Sequence, residues 1–427
     1  MTVLKEAGKQ YLSDFPSADG ADQAWLKPRR EAAIRAFEER GFPTRKDELW
    51  RYTNVAPLID TAFHAPHAST ATTGEGLLHG IRLVFVNGLL APDASHVEGL
   101  PAGVTLAGVH TTLDQASELE AHVTSQPVTV ENAFGDLNTA FFRDGAYLRV
   151  AAGVKVEAPI ELVFVNEGDC ASTVTHVRNV IVCEAGSEVQ IVETHRGSAG
   201  ALCNEVIEVE VASKANVEHV KVQLDSDEAF HVSSLRVRLA EDAHFGNHFV
   251  SMGGRLVRND IEVSIEGERS NCTLNGVFLV DGKRHVDTNT LIHHRVANCT
   301  SHELYKGILA DHGKGVFRGK IHVHQEAQKT DAKQSSSNLL LSDDSTINTQ
   351  PNLEIYADDV RCTHGATVGQ LDEDAMFYLR TRGLSEAGAK RLLTLGFVND
   401  VVDQLPVAEV RDLLIDKVTH RLEQAGV

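Results

Sequence analysis

"VRNVIVCEAGSEVQIVETH", Val177 to His195, is the stretch whose reading decides the fold. β-branched residues crowd both halves, and a short polar corner, "EAGS", divides them, so two strands meeting at a turn are expected here. "IRLVFVNG", "PIELVFVNEG", "NEVIEVEVASKANVEHVKVQ" and "LRVRLAEDAHFGNHFV" have the same character. From about residue 81 the chain therefore reads as strand after strand with no helical interlude.

The corners keep time. Those at Gly186, Ala215, Ala243, Ser270, Asn298 and Gln328 follow one another at intervals of about 28 residues, and one further step lands near Val360. A unit of that size made only of strands and turns cannot bury a core alone, whereas stacked copies share one, as in a parallel β-helix. A sandwich or barrel would instead place Asn-Gly or Asp-Gly hairpins every roughly 8 to 12 residues. "VNGLL" and "VDGKR" are two such turns, so periodicity alone leaves that alternative open.

Helical segments flank the strands. "DQAWLKPRREAAIRAFEERG" places Ala33 and Phe37 among charges and stops at Gly41. The irregular "FPTRKDELWRYTNVAPL" follows, with Trp50 and Tyr52 expected to pack on the next domain or to serve in binding. After the strands, "SEAGAKRLLTLGF" is N-capped by Ser385 and expected to stop near Gly396. In "PVAEVRDLLIDKVTHRLEQ", Val407, Val410, Leu413, Leu414, Val418 and Leu422 form one apolar stripe, suited to covering the last solenoid rung or to docking a partner. The expected organisation is a helical region over 1–76, a β-helix over 77–371 and a helical domain over 372–427.

Composition narrows the function. The chain of 427 residues carries 60 Asp and Glu against 40 Lys and Arg, a field that repels phosphate backbones and anionic lipid surfaces. Nucleic acid and membrane are therefore not expected partners. No apolar run approaches the roughly 20 residues of a membrane span, and "MTVLKEAGKQYLSDF" has neither a signal-peptide core nor a transit-peptide bias, so a cytoplasmic protein is expected. Cysteines at 170, 183, 203, 272, 299 and 362 lack CxxC spacing, which argues against a disulfide framework or a self-contained zinc finger. No GxxxxGK[ST] phosphate loop occurs. "HGKGVFRGKIH" has the wrong spacing, with Ile321 where the hydroxyl would stand, so nucleotide-driven work falls to another subunit.

The chemistry-bearing pair lies in "DVRCTHGATVGQLDEDAMFYLRTRGL", residues 359–384, where Cys362 and His364 flank one threonine just before a helix. On a strand, Val360, Cys362, His364, Ala366 and Val368 share one face. One reading is a buried cysteine beside a core histidine. Another is a metal half-site: thiolate and imidazole reach one soft or borderline ion, and a second chain supplies the remaining ligands. A cysteine nucleophile with a histidine base is a third, for which no oxyanion hole or substrate pocket is legible. His322 and His324, alternating with Ile321 and Val323, are expected to face outward, where they could bind metal adventitiously or at an interface. Cys272 and Cys299 occupy similar places in successive turns and read as two buried small side chains.

Three blocks resemble the SufB/SufD family of the Suf iron–sulfur cluster assembly system, essentially end to end. They are "PTRKDELWRYTNV", "LNTAFFRDGAYLRVAAGVKVEAPIELVFV" and the long block from "GVFRGKIHVHQEAQKTDAKQSSSNLLL" through "DVRCTHGATVGQLDEDAMFYLRTRGL". SufB-type chains carry a glutamate directly after the histidine, where this chain has Gly365, so the resemblance is to the SufD side. It implies a right-handed parallel β-helix flanked by α-helical N- and C-terminal regions, and a non-catalytic scaffold. The partners implied are a SufB-type paralogue through the last β-helix rungs and a SufC-type ATPase through the C-terminal helices, with a homodimer possible in isolation. No stable cofactor is implied. Transient iron or a nascent iron–sulfur cluster is expected at the subunit interface, where His364 matches the family histidine and Cys362 its neighbouring cysteine. The alternatives are a SufB-like primary scaffold, or a β-helix carbohydrate-active enzyme, for which aromatic content of 6% leaves no sugar platform.

Overall fold

The computed structural model describes residues 8–9, 11–15, 24–66, 76–112, 120, 122–123, 132–168, 172–197 and 200–424; Cys170 and the first seven residues lie outside these. Among the described residues the β-branched runs fold into nineteen strands, numbered in chain order from β1 (Arg82–Val86) to β19 (Arg361–Gly369). From β5 (Ile160–Asn166) onward, odd-numbered strands pair in parallel in one sheet and even-numbered strands in a second. The chain climbs by alternating between the two, a parallel β-solenoid of about 8 turns in a protein that is 44% strand and 24% helix.

Alternation sets the core. Side chains at every second position of both sheets turn inward, and Ile191, Val217, Phe245 and Leu274 of one sheet share a continuous buried core with Ile207, Leu235, Ile261 and Ile292 of the other. Parallel strands buried on the inside give every rung the same register, so interior positions line up along the axis. One such row runs Val189, Val217, Phe245, Cys272, Ser301, Ala332, Cys362; the next runs Ile191, His219, Asn247, Leu274, Glu303, Gln334, His364.

The corners repeat as the sequence rhythm predicts. Gly186, Lys214, Asp242, Arg269, Asn298 and Lys329 all adopt positive φ, between 57° and 70°. A left-handed residue with a side chain costs roughly 1–2 kcal/mol. The ladder these residues build offsets that cost: the N–H of Lys214 donates to the Glu241 carbonyl at 2.9 Å, Asp242 to Glu268 at 2.9 Å, and Asn298 to Gln328 at 2.9 Å.

The two hairpin signals separate. "VNGLL" is a true antiparallel hairpin joining β1 to β2 (Leu89–Leu90), with φ of 51° at Asn87 and 77° at Gly88, the pair of left-handed residues a type I′ turn requires. "VDGKR" is not one. It joins β13 (Asn271–Val280) to β14 (His285–His294), which belong to different sheets, because each already has parallel partners in the neighbouring rungs.

Of the helices, α1 (Leu26–Arg40) ends at Gly41, φ 68°, and lies against α2 (Ala133–Phe141). Helix α2 falls between β3 (Val104–Gly108) and β4 (Ala146–Val150) and corrects the expectation of strands without a helical interlude: Asn132 caps it by accepting from the Phe134 N–H at 2.9 Å, and Phe134, Leu137 and Ala140 are buried on α1 and the solenoid. Trp50 packs as expected, 5.5 Å from the Phe134 ring and under the Arg258 guanidinium at 4.3 Å. Beyond the solenoid come α3 (Glu373–Thr381), α4 (Glu386–Val402) and α5 (Ala408–Gln424). The Ser385 side chain accepts from the Gly388 N–H at 3.1 Å, the anticipated cap. The expected stop at Gly396 is corrected: α4 runs on to Val402, since Val398, Val401 and Val402 are buried and hold the extra turns. Covering of the last rung is corrected too. The α5 stripe of Val410, Leu414, Val418 and Leu422 lies on the flank, against Val220, Val222, Val250, Val277, Leu279 and Ile308. Those outward positions on β9, β11, β13 and β15 are apolar and offer the stripe a better surface than the polar terminal strands. Among the described residues, no helix is long and apolar enough to cross a membrane.

Candidate functional site

Because the helices sit on the flank, the solenoid ends open. The last strands, β18 (Thr346–Ile355) and β19, are edge strands of their sheets, and neither has a described fully buried residue. On β19, Cys362 pairs in register with Ala332 and His364 with Gln334. The sequence reading placed Cys362 and His364 on one face, and they are; the expectation that this face is buried fails. His364 is exposed and Cys362 half-buried, because the positions they occupy are interior positions of a rung with no successor. The side chains that elsewhere would fill the core look out into solvent.

Local surroundings differ for the two. Cys362 packs with Val360 and Leu353 on the small apolar cluster of Ile321, Val323, Ala332 and Ala357. Burial pushes its thiol upward, only partly offset by the Ala332 backbone, so the thiol keeps its proton at neutral pH. That disfavours the nucleophile reading, which needs a thiolate. His364 has Gly365 beside it, and a Cβ there would meet nothing within 4 Å, so open space lies along the strand. Among the described residues no third His, Cys, Asp or Glu joins this pair into a metal-ligating group.

The same end carries exposed apolar surface: Val368 is 50% exposed, Tyr356 61%, Phe377 71% and Tyr378 56%. Helix α3 buries none of its residues. An unpaired strand edge bordered by exposed aromatics is a template for another chain.

A family model described as the SUF system FeS cluster assembly SufBD core domain matches residues 164–397, more than half of the chain, and a SufBD protein N-terminal region matches 14–162. The chain belongs to the SufBD family. Its SufBD relatives include an iron–sulfur cluster assembly SufBD family protein of Synechocystis, 29% identical over 96% of this chain and 94% of its own length. The iron–sulfur cluster assembly protein SufD of Escherichia coli is 27% identical over 96% of this chain and 99% of its own, and SufD of Bacillus subtilis 26% identical over 97% and 98%. An iron–sulfur cluster assembly role thus follows at the level of the SufBD family.

Other sequence-flagged residues of this SufBD chain are also placed. His322 and His324 do face outward, opposite the buried Ile321 and Val323, and their rings stack at 4.3 Å beside His293. Burial lowers His293 to about 4. Cys272 and Cys299 are both fully buried, the former opposite Ser301 and the latter donating to backbone carbonyls, as small core side chains.

Sequence reasoning missed a polar knot inside the solenoid. Glu193 and His195 on β7 (Glu188–Gly197), Cys203 and Glu205 on β8 (Leu202–Val211), Lys221 on β9 (Asn216–Gln223) and His231 on β10 (Phe230–Leu239) are all essentially buried. Lys221 lies 3.0 Å from Glu193 and also pairs with Glu205. The signal was available: these residues share the parity of Ile191, Ile207, Val217 and Leu235, so the same alternation that turns those inward turns the charges inward as well.

Proposed function

We propose that this chain is the SufD-type scaffold of a Suf assembly, non-catalytic itself, which pairs through β18, β19 and α3 with a SufB-type paralogue and through α4 and α5 with a SufC-type ATPase. The observation that carries the reading is the open terminal rung, with Cys362 and His364 presented at an unpaired sheet edge. Two ligands at an edge that invites a second chain make a site that a partner completes. Iron or a nascent cluster is the cargo there, His364 an imidazole ligand and Cys362 a thiol that loses its proton on binding metal.

ATP-driven approach of two ATPase copies would pull on the flank helices. Lys306 donates at 2.6 Å to the Phe397 carbonyl and pairs with Asp400, while Arg421 pairs at 2.7 Å with both Asp281 and Asp227, so a displacement of α4 and α5 loads the solenoid wall. A site shared by two chains opens and shuts as one moves against the other.

The test is assembly of the chain with a SufB-type subunit and a SufC-type ATPase, followed by anaerobic cluster formation. Native mass spectrometry should find one SufB-type chain and two ATPase copies per chain, and His364→Ala should preserve that complex while lowering cluster yield. An unaltered yield removes the site assignment, and a chain that never joins the complex removes the scaffold reading.

A further inference from the structure

We propose that Cys203, His195 and His231 form a second metal site, buried inside the solenoid and distinct from the terminal pair, for one soft-to-borderline divalent ion such as Zn2+. The ligating atoms of these three residues lie within 4.8 Å of one another. Cys203 and His231 are direct register partners on adjacent strands β8 and β10, and His195 reaches them from β7 in the other sheet. A tetrahedral ion with bonds of about 2.0–2.3 Å separates its ligand atoms by roughly 3.3–3.8 Å. Cys203 Sγ stands 3.8 Å from His195 Nδ1.

Each imidazole is also held as a metal-binding imidazole is held. His195 directs Nε2 to a Glu193 oxygen at 2.7 Å, leaving Nδ1 for the thiol side; His231 directs Nδ1 to Asp225 at 3.1 Å. A carboxylate behind each ring fixes its orientation and raises its basicity as a ligand. The inward nitrogen of His231, Nε2, is fully buried, faces the Cys203 thiol and lies 4.0 Å from a Glu205 oxygen. A thiol is a weak hydrogen-bond partner for a buried imidazole nitrogen, and a metal ion would bind both groups.

Charge points the same way. Two buried carboxylates, Glu193 and Glu205, share one ammonium, Lys221, and a third, Asp225, stands against His231. The excess negative charge matches a divalent ion, with the Cys203 proton released on ligation. Glu205, with an oxygen 4.0 Å from the inward Nε2 of His231, is the candidate for a fourth donor. Since all three ligands are buried, loading belongs to folding rather than to exchange through an open channel.

The test uses full-length chain carrying Cys362→Ala and His322→Ala, so that neither the terminal pair nor the outward histidines contribute. It is unfolded with a chelator, refolded without oxygen in the presence of Co2+, and desalted. One Co2+ per chain, with intense near-ultraviolet thiolate-to-cobalt absorption that disappears in Cys203→Ser, is the expected result. Should Cys203→Ser fail to refold, His231→Asn supplies the second reading, with retention of the ion falling by about tenfold or more. No retained ion, an ion without the thiolate band, or a band unchanged by both substitutions overturns the site and leaves protons on the two imidazoles as the balancing charge. None of these outcomes touches the terminal-rung reading, which depends on other residues.

Discussion

His364 stands in register on Gln334, and the Gln334 side-chain amide donates at 3.2 Å to the buried carboxylate of Glu303, one rung further in. The exposed terminal residue is thus the end of an axial row whose interior member is a fully buried acid. Burial raises Glu303 from 4.5 to about 7, against hydrogen bonds from Thr290 and Gln334 that favour the charged form. The folded state then keeps a proton that the unfolded chain has released between those pH values. Stability therefore falls as pH rises from about 4.5 to about 7, by about 3 kcal/mol, and levels off above. Glu303→Gln should remove that slope; urea unfolding at pH 5 and pH 8 measures it, and an equal slope in both proteins refutes the assignment.

At the rim, the two site residues should respond differently. His364 is exposed, so His364→Ala is expected to leave folding stability within about 0.5 kcal/mol while reducing cluster assembly. Cys362 carries a proton that a metal must displace, so metal affinity at this end should rise with pH, and Cys362→Ser should flatten that dependence. Urea unfolding and cluster yield read the first, and iron titrations of the assembled complex at pH 6.5 and 8.0 read the second.

The N-terminal helices depend on a buried ion pair. Arg178 is fully buried, meets Glu208 at 2.8 Å, and also donates to Asn138 and Thr139 of α2. Removing the acid leaves an uncompensated cation in the interior, so Glu208→Ala should cost about 3–5 kcal/mol. Thermal unfolding together with limited proteolysis of residues 24–66 would locate the loss; a change below about 1 kcal/mol would show that the pair is dispensable.

Leu414→Ala should cost about 2–4 kcal/mol, because Leu414 is 1% exposed and faces the flank strip of β9 to β15. If α4 and α5 form the ATPase dock, the same substitution should weaken ATPase capture while pairing with the SufB-type chain persists. Pull-down of each partner separately distinguishes the two effects.

The solenoid was legible because a corner that repeats is a signal averaged over many copies: Lys214, Asp242 and Arg269 are individually unremarkable turn residues, and only their spacing speaks. The face of β19 was legible from alternation alone. Its exposure was not, since alternation tells which residues turn inward but not whether another rung follows. The same limit applied to α5, whose stripe from Val410 to Leu422 was evident while its landing surface depended on outward valines more than a hundred residues earlier. The interior knot at Cys203 escaped because charged residues on a strand read as solvent-facing until the parity of their apolar neighbours is set against them.

The corner ladder also makes the protein a ruler. Each turn adds one strand spacing, about 4.8 Å, between the helical N-terminal end and the open rim. Removing one complete turn, cut from one left-handed corner to the next, would shorten that span by one graduation and leave every remaining side chain on its own face. Removing a single residue within a strand would invert everything beyond it to the next corner. Whole-turn deletions therefore offer a way to reposition the rim relative to the rest of an assembly without rewriting its chemistry.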